Sequence, residues 1–131
     1  QPAPRKKALG AVVAWSAMTA AAQAAAASCA KDGLDVELID LRSLWPWDTQ
    51  AVLSSVEKTG RLLVVQEAVE VCGFGAEVVA TVVDQAFKYL KRAPTRLGAP
   101  RTPAPFSPTL ESRYQVTKDK VEVAIRTVVA S

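Results

Sequence analysis

Three groups of residues in this chain have the types and spacing for chemistry. Glu67 and Glu70 lie just after an apolar run, where a carboxylate pair could divide general acid and general base work. Gly73-Phe74-Gly75 matches the first half of a dinucleotide-binding fingerprint, a tight turn whose free N–H groups could hold an anion at a helix start. Lys88, Lys91, Arg92, Arg96 and Arg101 are five cations with no acid between Asp84 and Glu111, a stretch that could steer an acidic partner. Each group also has a plainer explanation. The spacing of Glu67 and Glu70 fixes no distance between them, and salt-bridge or interface roles outweigh acid–base work. The third fingerprint glycine is missing, because Val78 stands there, so Gly73 and Gly75 read first as structural turn residues that need positive φ or an approach closer than a Cβ allows. The cations complement the dipole of a helix end.

Absences narrow the chemistry further. With no histidine in the chain, His-based triads, His/Cys zinc sites and imidazole catalysis are excluded within it. Cys29 and Cys72 form neither a CxxC pair nor a disulfide framework, and read as buried free thiols of a reducing, cytoplasmic compartment. The 131 residues are 50% hydrophobic and 6% aromatic, which suits one compact domain and excludes a disordered tail, a coiled coil and a polytopic membrane protein. The net charge of +3 resides in Arg5, Lys6 and Lys7, leaving a neutral body that does not suit a nucleic-acid reader. Residues 1–7 therefore read as a basic tail or linker and 8–131 as the domain. The first residue, Gln1, reads as the start of a processed or excised product.

The elements that must position these groups follow from periodicity. Leu9 to Ala30 is uncharged and imitates a secretory signal or a spanning helix, but alanine is weakly hydrophobic and Trp15, Ser16 and Thr19 interrupt the run. The better reading is a buried strand over Ala11–Trp15, a turn at Ser16, and Thr19 capping an alanine-rich helix to about Lys31, with no membrane segment. Leu34–Asp40 alternates apolar and acidic residues as a strand does. Asp48 is placed to cap a short helix carrying Val52, Leu53 and Val56 on one face, which Gly60 ends. Arg61–Glu67 reads as a central parallel strand, and Phe74–Lys91 as the longest helix, with a wide apolar face packed on a sheet. Thr95–Gly98 is a last short strand, Pro100 to Pro108 keep the chain extended across a surface, and a helix from Thr117 or Lys118 to Val129 pairs Glu122 with Arg126. Trp45 and Trp47 flank Pro46 in a loop, and Phe106 lies in the proline-rich segment. These three aromatics are expected at subunit interfaces, most simply in a two-fold dimer, with Glu67, Glu70 and Arg92 as further interface candidates.

One series of motifs goes beyond this. Asp40-Leu41-Arg42-Ser43-Leu44, with Pro46 and Asp48, resembles the DLR-S/T-L-x-P-x-D signature of the C-terminal domain of transketolase-like enzymes, particularly the β subunits of 2-oxoacid dehydrogenase E1 components. Lys58-Thr59-Gly60-Arg61, Val64-Val65-Gln66-Glu67-Ala68, Gly73-Phe74-Gly75-Ala76-Glu77, Ala93-Pro94, Pro103, Pro105, Leu110-Glu111 and Tyr114 agree in order, from about Ala8 to Val129.

The resemblance implies a three-layer αβα sandwich on a five-stranded, mostly parallel mixed sheet with one antiparallel strand. It implies an assembly and partner-docking domain whose parent enzyme decarboxylates a 2-oxoacid and passes the acyl group to lipoyl-E2. The chain has no GDG-type diphosphate motif, so thiamine diphosphate and Mg²⁺ are expected in the parent and no cofactor, metal or catalytic residue is expected here. The implied partners are a second copy or another E1 subunit, and an E2 acyltransferase core. Two departures stand out: Gln66 where many relatives have His, and Lys91-Arg92 where acids that oppose basic E2 residues are common. Other readings are a free-standing adaptor or anion-binding module derived from this domain, and the C-terminal domain of a transketolase or deoxyxylulose-phosphate synthase.

Overall fold

A computed structural model describes residues 8–15, 18–42, 46–69, 74–99 and 116–130, with backbone only at 67–69 and 99. Among them are β1 (Ala11–Ala14), α1 (Met18–Lys31), β2 (Glu37–Asp40), α2 (Thr49–Thr59), β3 (Leu62–Val69), α3 (Phe74–Ala86), a 3₁₀ turn (Phe87–Tyr89), β4 (Thr95–Ala99) and α4 (Lys118–Val129). The strands form one sheet in the order β2-β1-β3-β4, every pair parallel, with Val12 opposite both Leu38 and Leu63. This is the doubly wound αβα arrangement expected from the sequence. The fifth, antiparallel strand implied by the resemblance has no counterpart among the described residues, and the extended segment expected over Pro100–Pro108 lies outside them.

Because successive strand residues point to opposite faces, the apolar runs of β1 and β3 build two cores at once. Val12, Ala14, Leu63 and Val65 pack with Ala22, Ala25 and Cys29 of α1 and Val121, Ile125 and Val128 of α4. Ala11, Val13, Leu62 and Val64 pack with Val52 and Val56 of α2 and Val78, Val82 and Ala86 of α3. The uncharged stretch from Leu9 to Ala30 is therefore a buried strand and a 14-residue helix, and no described helix is long and apolar enough to cross a membrane.

Local capping follows the sequence at α2 and α4. Asp48 Oδ1 accepts the Ala51 N–H at 3.1 Å, and Thr117 Oγ1 accepts the Lys120 N–H at 3.4 Å. Gly60 ends α2 in the left-handed conformation, φ 75°, with its N–H on Val56 O at 2.7 Å. A Cβ there would lie 2.9 Å from Tyr89 O, so the position demands glycine twice over.

Four expectations are corrected. Thr19 does not cap α1: the helix begins at Met18, and the Thr19 hydroxyl donates instead to Asp40 Oδ1 at 3.1 Å. The strand expected over Leu34–Asp40 is confined to Glu37–Asp40, the length β1 offers for pairing. α3 stops at Ala86, because the 3₁₀ turn brings the Lys91 N–H onto Gly60 O at 2.7 Å, a tertiary bond that a continued helix could not make. The helix is thus shorter than α1, and Val83 and Phe87, expected against the sheet, are 39% and 70% exposed. Finally, Glu122 and Arg126 do not pair. Arg126 Nη2 binds Asp32 Oδ2 at 2.6 Å in a tertiary ion pair, and Glu122 Oε1 lies 3.7 Å from Lys118 Nζ.

Candidate functional site

In a doubly wound sheet, sites collect beyond the carboxyl ends of the strands where the winding direction reverses. Here the chain leaves β1 for β2 on one side and crosses back to β3 on the other, so the carboxyl ends of β1 and β3 mark that point. Trp15 follows β1, Asp40 closes β2, Gln66 lies in the carboxyl half of β3, Phe74 and Gly75 open α3, and Trp47 and Asp48 lead into α2.

Phe74 is clamped edge-on between two indoles. Its centroid is 5.5 Å from Trp15 at 87° and 6.1 Å from Trp47 at 89°, the T-shaped geometry that the ring quadrupole favours. All three rings remain partly exposed while packing on the α2–α3 core. Beneath them the turn is fixed by one buried hydrogen bond, in which the Gly75 N–H donates to Gln66 Oε1 at 2.7 Å. Gln66 is wholly buried, and a Cβ on Gly75 would fall on its Oε1. The glycine is required there for close approach, and its φ is not left-handed.

Two acids described at this edge already have partners. Asp40 accepts the Thr19 hydroxyl and lies 3.7 Å from Arg42 Nε, and Asp48 caps α2. Among the described residues no cluster of His, Cys, Asp or Glu could hold a metal ion. The Gly75 N–H, which a bound anion would seek at the start of α3, is spent on Gln66. The arrangement is suited to holding an aromatic surface in a fixed orientation.

The structure brings together only part of the set expected from the sequence. Trp47 and Gly75 belong to this edge. Glu67 lies in β3 beside it, with its side chain outside the described residues, as are Trp45, Glu70, Gly73, Phe106, Cys72 and Arg101. Arg92 is elsewhere: it precedes β4, and its Nη1 donates to Thr127 O in the last turn of α4 at 3.0 Å, at the amino end of the sheet. Sequence reasoning missed Trp15 and Phe74 as members of the edge. The signal was available, since one follows a buried parallel strand and the other opens the helix after its neighbour, and both must emerge at the same end.

The perturbed titrations lie on the far face. Burial pushes the Cys29 thiol above its ordinary value, and Cys29 is free and wholly enclosed. A hydrogen bond with Ser28 holds the Glu122 carboxyl below the usual range, aided by Lys118 and Arg126, and the bond to Asp32 raises Arg126. These groups stitch α1 to α4 and face no cleft at the carboxyl edge.

Known proteins share both the sequence and the fold. The chain is 44% identical over 115 residues to the β subunit of acetoin:2,6-dichlorophenolindophenol oxidoreductase of Cupriavidus necator, covering 88% of this chain and 34% of that one. It is 41% identical to 2-oxoisovalerate dehydrogenase subunit beta 2, mitochondrial, of Arabidopsis thaliana (90% and 32% covered) and 43% identical to the pyruvate dehydrogenase E1 component subunit beta of Leifsonia xyli (84% and 32% covered). It thus spans about a third of the length of these relatives. A solved structure described as a split gene transketolase, inactive beta4 tetramer, superposes with a TM-score of 0.80 over 96% of this chain and 40% of its own, at 23% identity, a likeness of fold. Residues 5–121 match the family described as Transketolase, C-terminal domain, and the chain belongs to that family.

Proposed function

We propose that residues 8–131 are the C-terminal assembly and partner-docking domain of a 2-oxoacid dehydrogenase E1 β subunit, with residues 1–7 as a basic tail leading into it. The reading rests on the similarity to β subunits of acetoin, branched-chain and pyruvate enzymes, each matched over about a third of its length. The parent then decarboxylates a 2-oxoacid using thiamine diphosphate and Mg²⁺, in the cytoplasm, with another E1 subunit and an E2 core as partners. The described residues do not fit that cofactor, since the glycine turn has given its Gly75 N–H to Gln66 and no metal-ligating cluster is present among them. No chemical step is therefore assigned to this chain. Its contribution is the partly exposed aromatic edge, with Trp47 offered to a neighbouring subunit, the kind of ring enriched at interface cores.

Reading the gene upstream of the codon for Gln1 and expressing its complete product tests this. An in-frame pyrimidine-binding domain and co-purification with a second E1 subunit are expected. A start codon adjoining Gln1, together with a product that acts without such a subunit, would replace this reading with that of a free-standing adaptor. A complete product with transketolase activity on sugar phosphates would move the parent to the sister enzymes.

A further inference from the structure

The run of cations after Asp84 lies far from the aromatic edge, at the amino end of the sheet where the helices finish. Helix ends attract cations in general, because their last carbonyls carry partial negative charge. Several of those gathered here are already answered. Lys58 Nζ lies 3.0 Å from Glu37 Oε2, Arg126 Nη2 lies 2.6 Å from Asp32 Oδ2, and Arg61 Nη1 donates to Leu9 O at 3.2 Å. Lys31 is followed closely by Asp32 and Asp35. The turn after α3 differs. Lys88 and Lys91 are exposed, and among the described residues neither is in an ion pair.

The cations of this turn are held by other parts of the fold rather than by acids. Lys88 Nζ stands 5.1 Å from the centroid of the Tyr89 ring. Lys91 is fixed at two points: its N–H donates to Gly60 O at 2.7 Å, and its stem crosses the bare Cα of Gly60, where an added Cβ would lie 2.7 Å from Lys91 Cγ. Arg92 Nη1 donates to Thr127 O at 3.0 Å. Phe87 to Arg92 therefore bridge the end of α2 and the end of α4. The same stretch carries Phe87, which at 70% exposure is the most exposed large apolar side chain among the described residues.

A side chain that is already confined loses less freedom when it binds, an advantage that a freely solvated lysine lacks. A ring left in water beside three held cations suits a segment that offers one apolar side chain with carboxylates around it. The neighbouring acids limit the size of that segment. Glu57 in the last turn of α2 and Asp84 in the last turn of α3 are both exposed, and they oppose a long polyanion such as a nucleic acid, which requires a continuous basic stripe.

We propose that the turn from Phe87 to Arg92 is a docking surface for a short acidic segment of a partner protein, with an apolar side chain on Phe87 and carboxylates on Lys88, Lys91 and Arg92. It adds a second face to the docking domain proposed above and rests on that reading for its purpose. A patch of this size makes a weak contact that salt weakens further.

Amide and indole NMR shifts of the 131-residue protein, titrated at low salt with the peptide Glu-Glu-Leu-Glu-Glu, test it. Saturable shifts are expected at Phe87 to Arg92, Gly60 and Thr127, with a Kd of about 0.1–1 mM, and none at the indoles of Trp15 and Trp47. Lys88→Glu or Lys91→Glu should weaken binding by about tenfold, and the double variant should instead bind Lys-Lys-Leu-Lys-Lys at the same residues. Replacing the peptide leucine by serine should weaken binding to wild type and leave binding to Phe87→Ser unchanged, as a coupled pair requires. The substituted side chains are exposed, so the remaining shifts report an intact fold. No shifts up to about 5 mM peptide, or shifts spread over every basic helix end, overturn the proposal. So does single-stranded DNA of equal charge that binds the same turn more tightly, which would make it a nucleic-acid surface. None of these outcomes alters the assembly reading, which the gene and the second E1 subunit decide.

Discussion

Replacing Gly75 by alanine puts a methyl group where the structure has no space. The new Cβ would fall on Gln66 Oε1 and lie 3.1 Å from both Gln66 Cδ and Val64 Cγ1. Neither neighbour moves freely, since both are wholly buried and the amide is held by the Gly75 N–H at 2.7 Å. If the amide swings away, a buried acceptor and the helix N–H lose each other, a loss of about 1–3 kcal/mol. If it stays, crowding in a packed core costs about 1–3 kcal/mol. Both penalties apply in part, and alanine's better helix propensity returns at most about 1 kcal/mol, so a net destabilisation of about 3 kcal/mol is expected. For a domain of this size that is a fall of roughly 10 °C in Tm. Gly10→Ala is the control, because a Cβ there meets Arg61 Cβ at 3.5 Å and Val129 Cγ1 at 3.6 Å, ordinary contacts. Urea denaturation of both variants, with Gln66→Ala and the Gln66→Ala/Gly75→Ala pair, completes a double-mutant cycle. The double variant should be more stable than the sum of single losses predicts by about 1 kcal/mol or more, since removing the amide makes room for the methyl. A Gly75→Ala midpoint equal to or above wild type would refute the close-approach argument.

Three further outcomes are expected. Gly60→Ala combines a left-handed φ of 75° with a Cβ 2.9 Å from Tyr89 O, and should lower stability by more than about 1 kcal/mol in the same urea assay. In a Cys72→Ser background the remaining thiol, Cys29, should react with a disulfide reagent only as fast as the protein opens. Because burial raises its pKa, the stability linked to it is present below the ordinary value of 9.0 and lost as pH rises past it, so urea midpoints should fall on the alkaline side and Cys29→Ala should flatten that limb. Glu122 has the opposite sign. Its pKa is lowered, so its contribution is present above the ordinary 4.5 and lost as pH falls, and Glu122→Gln should reduce the acid sensitivity of the urea midpoint in that range.

The layers of this fold were legible because they are written in periodicity. Consecutive apolar residues in Ala11–Ala14 and Leu62–Val65 can be buried only by covering a sheet on both sides, and the two cores there leave all eight at or near zero exposure. Asp48 and Gly60 announced the ends of α2 through local chemistry, which needs no knowledge of the rest of the chain. The errors arose where distant groups compete with local preference. Nothing near Lys91 indicates that its N–H will be taken by Gly60, 31 positions earlier, so the α3 helix read as running too far. Nothing near Arg126 indicates that Asp32 will outbid Glu122 for it, because a pair across two helices is set by how α1 and α4 pack.

The candidate site was legible in its parts and not in its assembly. Gly75 was recognisable as a turn glycine, yet the partner that makes it obligatory is the side chain of Gln66, nine positions earlier on a strand whose burial gives no hint of a polar role. That bond gives the edge its logic. Gln66 is locked in the sheet, it fixes the second residue of α3, and the first residue of α3 is Phe74, the ring against which Trp15 and Trp47 both stand. A buried amide thereby sets the position of a partly exposed aromatic cluster through two adjacent backbone units. The same bond withdraws the Gly75 N–H from any anion, so at this position the glycine serves to hold the start of α3, and with it Phe74, against the two indoles.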